Sequence, residues 1–389
     1  MAERIVCTMC SPTSLLVCSG SSGPRHVYQP SASLSLPSKG RRRVGVDYGS
    51  IFFGGMRNVE KSSGGTTMAM SNEDGGGGID VNGGAQMQGS KIAVDPKVWI
   101  TLIDAELERG NDRQAMSLAQ NLRAFGKAAM VPQKIYTLED LRLNKIDASK
   151  FLSPVDRTLG SVRRNLQVAG VVGAVAAWRA LDMNPMQLLG LVVLFLFIGT
   201  VDQVANGGGL EALILDTLGR LISRNYRERV AQHEAGHFLI SYLMGILPKS
   251  YTLSSLDAFQ RYAALNVQAG TTFVDFEFQE EIASGKVSAG TLDKVSCIAL
   301  AGVATEYLLY GAAEGGLADI QQLDDLMRGL GFTQRKADGQ VRWAVLNTVT
   351  LLRRHKPVHS KLAQAMSIGK TVAECIGLIE TELQNVAYI

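Results

Sequence analysis

Cysteine is scarce in this chain, with five in 389 residues, and three of the five (Cys7, Cys10, Cys18) fall before residue 19. So few thiols cannot staple a protein of this length with disulfides. An excess of one charge is also lacking. Lys plus Arg number 39 and Asp plus Glu 36, a net charge of +3. That balance excludes a nucleic-acid backbone as the main partner. A phosphate-cradling loop is missing as well. Gly369-Lys370-Thr371 is the nearest approach to G-x-x-x-x-G-K-[ST], but Gln364 stands where the first glycine belongs and no strand precedes it, so ATP binding is not expected. What the chain does have is 46% hydrophobic residues, enough to bury a sizeable core, and an uneven distribution of everything else.

Residues 1–68 hold eight Lys and Arg against three acids, and ten serines lie in the first 50 residues. This Ser-rich, acid-poor composition reads as an organellar transit peptide. Its Ser, Pro and Gly content spoils a long amphipathic helix, which favours a chloroplast over a mitochondrial address. Cys7-x-x-Cys10 sits inside this segment and reads as accidental. Removing it leaves 31 basic residues against 33 acidic ones. Residues 69–94, with Gly75 to Gly78, Gly83, Gly84 and Gly89, read as a flexible linker.

A small helical module is expected over 95–165. Val98, Trp99, Leu102, Ile103, Ala105 and Leu107 recur at helical spacing before a break at Gly110, and Ala115, Leu118, Ala119, Leu122 and Phe125 follow. Together they predict a helical hairpin, one unit being too little for a repeat array. Residues 166–205 form the expected membrane segment. Met186 to Val201 is an uncharged apolar run, and Val168 to Trp178 is a shorter one ending at Arg179. A spanning helix needs about 20 apolar residues, so the segment predicts one span or a two-armed hairpin, with the thylakoid or inner envelope membrane as its setting. A mitochondrial membrane is the alternative, and arginines on both flanks, Arg229 among them, favour a hairpin with both ends on one side.

The chemistry is expected at His233-Glu234-Ala235-Gly236-His237, an H-E-x-x-H pattern among Val230, Phe238, Leu239, Ile240 and Leu243. Residues four apart share a helix face, so His233 and His237 can hold one Zn2+ while Glu234 serves as general base for a water that the metal activates. A second i,i+4 pair, His355 and His359, has no carboxylate between its members and carries Pro357. With Arg353, Arg354, Lys356 and Lys361 around it, it reads as a solvated basic turn. Cys297 and Cys375 lie in apolar helical patterns and read as core residues.

A zinc site of this kind needs a third protein ligand. HEAGH, preceded by Val230-Ala231 and followed by an apolar helix, resembles the FtsH-type zinc metalloprotease family. The likeness continues through Gly302-Val303-Ala304-Thr305-Glu306 and Gly315-Gly316-Leu317-Ala318-Asp319, and covers about residues 220–389. The family pattern has Ala-Ser where this chain has Gly316-Leu317. By this resemblance Asp319 is the third ligand and Glu306 a supporting residue, with Asp324 and Asp325 as fallback ligands. The implied fold is mainly α: a helical peptidase domain with a small β element. Thr271 to Phe278 has β-type composition, and in the family the corresponding region offers an edge strand to an extended peptide.

Such proteases carry an ATPase module directly before the peptidase, and residues 205–229 are too few to hold one. The primary expectation is therefore a membrane-anchored, ATP-independent zinc metalloendopeptidase acting on unfolded or small polypeptides. The alternative is an auxiliary subunit that self-associates or joins FtsH-type ATPase protease subunits and assists membrane-protein assembly without cleaving.

Overall fold

A computed structural model describes residues 96–384 apart from 153, 264, 266–268 and 275. The transit peptide and linker expected over 1–94 lie outside the described residues. The described part is mainly helical. Helices α1 (Pro96–Glu108) and α2 (Asp112–Ala119) pack on each other across a turn whose Gly110 adopts φ +77°. The second helix stops at Ala119, and Leu122 and Phe125 are buried in the turns beyond it.

Short α3 (Leu138–Leu143) starts on Thr137, whose side chain and that of Asp140 cap each other's backbone N–H. Short α4 (Ala148–Phe151) starts on Asp147. Two long helices follow, α5 (Arg157–Ala180) and α6 (Pro185–Ala205), broken at 181–184 where Asn184 caps the second and Pro185 opens it. Helix α5 has no buried residue. Helix α6 is apolar nearly all round, long and apolar enough to cross a membrane, and exposes Val193, Phe195, Leu196 and Phe197. Its 21 residues span about 31 Å at ~1.5 Å each. Asp202 closes its end by accepting N–H groups of Leu210 and Glu211 and the Asn206 amide, all at 3.1 Å.

Next come α7 (Gly209–Ile222) and α8 (Arg224–Met244), then strand β1 (Pro248–Thr252), α9 (Ser255–Tyr262) and strand β2 (Gly270–Phe273). The strands pair antiparallel, Ser250 opposite Thr272 and Tyr251 opposite Thr271. The β-type run Thr271 to Phe278 divides: its first part is β2, whereas Phe276–Phe278 begin α10 (Phe276–Ser284). Phe278 is buried in the main core from that helix, so packing overrides the strand preference of the aromatic residues. Helices α11 (Ala289–Ala299), α12 (Ala301–Tyr310), α13 (Leu317–Gly329), α14 (Gln334–Arg354), α15 (Lys356–Ser367) and α16 (Val372–Leu383) complete the fold.

Helix α8 partitions the core. Ser223 caps its start by accepting the Tyr226 N–H, and Gly245 (φ +79°) ends it in the left-handed region. Ala235, Phe238, Leu239, Tyr242 and Leu243 recur at i, i+3, i+4, i+7 and i+8, and this face packs with α1, α2, α15 and α16. The opposite face carries His233, His237, Ile240 and Met244. Its apolar end packs with α11, α12 and α14. Each large side chain so buried, such as Phe238 or Trp343, contributes about 1.5–3 kcal/mol. Residues 96–151 share these two cores instead of burying one of their own. A buried carboxylate ties them in: Glu380 accepts from Ala124 N–H (2.9 Å), Arg123 N–H (3.1 Å) and the Tyr242 hydroxyl (2.7 Å).

The His355 and His359 pair is not a solvated turn. His355 ends α14, Pro357 sits in the first turn of α15, and the two imidazoles are 2% and 4% exposed. His359 Nε2 donates to the Gln232 carbonyl at 2.9 Å. The basic side chains are exposed while both rings are buried, His359 against α8. Cys297 and Cys375 are buried core residues, as expected.

Candidate metal centre

Helices α8 and α12 cross closely because both present glycine at the crossing. A Cβ on Gly236 would stand 2.9 Å from the Ala301 carbonyl oxygen and overlap the Thr305 hydroxyl. A Cβ on Gly302 would overlap the His233 ring itself, on Nε2, Cδ2 and Cε1. The G-x-A-x-E helix thus lays bare backbone against the imidazole. The segment 311–316 then folds back, and Gly316 caps α13 at φ +84°, a conformation that L side chains rarely adopt. A Cβ there would also overlap Val303. Glycine at 316, where the family pattern has another residue, is what this turn requires.

The turn delivers Asp319 on the first turn of α13. Its Oδ2 lies 3.2 Å from His233 Nε2 and 3.4 Å from His237 Nε2, and the two Nε2 atoms are 3.1 Å apart. Among the described residues this is the one group of three or more His, Cys, Asp or Glu able to converge on a metal ion. A tetrahedral ion with bonds of about 2.0–2.1 Å sets its ligand atoms about 3.3–3.4 Å apart. The triangle fits that ion. Asp324 lies away from it, paired with Arg328 at 2.6 Å, and Asp325 is exposed.

The far sides of the rings fix the tautomers. His237 Nδ1 lies 2.8 Å from the Ile298 carbonyl, an acceptor only, so it carries the proton and donates. His233 Nδ1 lies 2.8 Å from Glu306 Oε1. Glu306 is ionised: burial opposes its charge, but the His233 bond and charge, the Glu314 N–H (2.9 Å) and Arg229 (2.7 Å) outweigh it and hold the carboxyl at about 2. Both Nε2 atoms therefore face one another and a carboxylate, an arrangement that could hold a cation. The electrostatics agree. Burial works against charging His233, yet hydrogen bonds to Asp319 and Glu306 push its pKa well above the ordinary imidazole value. Burial likewise opposes the Asp319 charge, but His237 and His233 hold it well below the usual carboxylate range.

Glu234 is 6% exposed on the same turn of α8. Burial first, and the Asp319 charge, raise its pKa, while the two imidazoles and a hydrogen bond from Thr271 pull it down. Two residues at the site were not singled out from sequence. Arg229, read as a flank of the membrane segment, is instead mostly buried under Glu306, paired with Glu314 at 3.5 Å and stacked 4.3 Å from the Tyr310 ring centre. It lies four residues before His233, on the same helix face, and that spacing was its available signal. Thr271 comes from β2, and no local pattern points to it. Comparison of the chain with protein-family models, with curated proteins and with solved structures finds no match.

Proposed function

We propose that this chain is a membrane-anchored zinc metalloendopeptidase, of the kind its FtsH-like motifs imply, cleaving unfolded or small polypeptides in a chloroplast membrane without nucleotide hydrolysis of its own. The observation that carries the reading is the triangle of His233 Nε2, His237 Nε2 and Asp319 Oδ2, with sides of 3.1, 3.2 and 3.4 Å, beside a buried carboxylate. These residues would hold Zn2+, which when bound polarises a peptide carbonyl and brings a water pKa toward about 7.

The chain's own groups account for the rest. Glu306 and the Ile298 carbonyl keep both imidazoles oriented with Nδ1 protonated. Glu234 can take a proton on its carboxylate and return it to the leaving amine nitrogen. Burial of α8 excludes bulk water from all but the Asp319 side, where that carboxylate is 27% exposed. Support for the anchor comes from α6, whose length of about 31 Å matches a hydrocarbon core of ~30 Å. Its exposed Val, Leu and Phe side chains would be costly in water. The test is Glu234→Gln: the variant retains zinc and loses cleavage of an unfolded substrate. Cleavage at the wild-type rate would overturn the reading.

A further inference from the structure

Of two adjacent threonines on β2, one faces the metal centre. Side chains alternate along a strand, so Thr271 shares its face with Phe273 and Thr272 points the other way. Phe273 is buried in the same core as Ile240 of α8, which sets that face against the helix. Thr272 places its hydroxyl 2.7 Å from Ser250 Oγ, which in turn lies 2.9 Å from the Tyr262 hydroxyl, a polar chain on the far side of the sheet. Thr271 Oγ1 donates to Glu234 Oε2 at 2.9 Å and passes the Glu234 carbonyl at 3.4 Å. Among the described residues it is the donor that the Glu234 carboxylate has.

We propose that Thr271 is a positioning residue for Glu234, holding that carboxylate in one rotamer beside the metal centre. The hydroxyl is not needed to keep the strand in place. Burial of Phe273, the ladder to β1 and the Val274 N–H donating to the Leu247 carbonyl at 2.8 Å already do that. A glutamate has three rotatable side-chain bonds, and among the described residues the Thr271 hydroxyl is the donor that anchors the tip of this one. Without that donor the carboxylate loses its tie to β2. A base displaced by about 1 Å loses on the order of a hundredfold in rate.

The inference rests on the peptidase reading for its kinetic consequence but not for the contact itself, and the experiment separates the two. Thr271→Val keeps the β-branched shape and removes the hydroxyl; Thr271→Ser keeps the hydroxyl. At equal zinc content, Thr271→Val is expected to lower kcat about 10- to 100-fold with KM unchanged, and Thr271→Ser to restore it to within about threefold. Wild-type kcat in Thr271→Val, or a loss that Ser does not rescue, overturns the proposal while the peptidase reading stands. A thermal-unfolding double-mutant cycle needs no activity. Thr271→Val should lower Tm in the wild type and have little effect once Glu234 is Ala. Equal shifts in both backgrounds overturn the proposal. If the wild type cleaves nothing, the peptidase reading falls and the cycle still decides this one.

Discussion

Gly302→Ala adds one methyl group to the most constrained point of the metal centre. The new Cβ would lie well under 3.0 Å from three atoms of the His233 ring, so the ring must move by at least about 1 Å to reach ordinary contact. The other neighbours leave no room to share that shift. Helix α8 already touches α12 through Gly236, and His233 Nδ1 is held at 2.8 Å by Glu306. Metal–ligand distances tolerate about 0.2 Å, so a 1 Å displacement of Nε2 removes a ligand. The fold should survive. Overpacking costs about 1–3 kcal/mol and a helical Gly→Ala gain of up to ~1 kcal/mol offsets part of it. Gly339→Ala in α14 is the control, because its Cβ would meet nothing within 4 Å. Zinc per chain by elemental analysis and unfolding by circular dichroism read the outcome. Gly302→Ala should be folded with little bound zinc, and Gly339→Ala folded with the wild-type amount. Wild-type zinc content and affinity in Gly302→Ala would refute the packing argument.

Four further outcomes are expected. Arg229→Met removes the cation from a Glu306 carboxylate that is 4% exposed; it should cost about 3–5 kcal/mol and weaken zinc binding about 10- to 100-fold, read by denaturant titration and chelator competition. Glu380→Ala strands the Ala124 and Arg123 N–H groups and the Tyr242 hydroxyl, and should lower stability by about 3 kcal/mol or more while leaving zinc content unchanged. His355 and His359 are held neutral, burial first depressing both pKa values, with Arg354 adding to it at His355. The unfolded chain binds protons that these rings refuse, so their contribution is complete above the unfolded value of about 6.5 and is lost as pH falls below it. A stability–pH curve of His359→Gln should be flatter there than the wild type. Finally, α6 predicts retention of the chain in carbonate-washed membranes, and release by carbonate would contradict the span.

The parts legible in the sequence were those written in local spacing. His233, Glu234 and His237 are one helical turn, and the capped, periodic helices of the C-terminal half follow their apolar residues. Asp319 and Glu306 were reachable only through motif resemblance, since they lie 86 and 73 residues from His233. Thr271 was out of reach because a strand's partner across the fold leaves no local mark. The errors share one physical cause. Around His355 and His359 the charged neighbours suggested solvent, but at a junction of two helices the arginines and lysines turn outward while the rings turn in. At Phe276–Phe278 aromatic residues suggested a strand, and the core recruited them from a helix. For the helical module expected over 95–165, the apolar residues from 100 to 151 lie in cores shared with the C-terminal helices, and nothing in a short amphipathic hairpin states which apolar face will cover it.

The most direct test of the metal centre is the zinc content and zinc-edge absorption spectrum of the purified protein beside Asp319→Ala. About one zinc per chain is expected, with nitrogen and oxygen ligands only at about 2.0–2.1 Å, and a large loss of affinity in the variant. Sulfur in the coordination sphere, or unchanged affinity in Asp319→Ala, would contradict it.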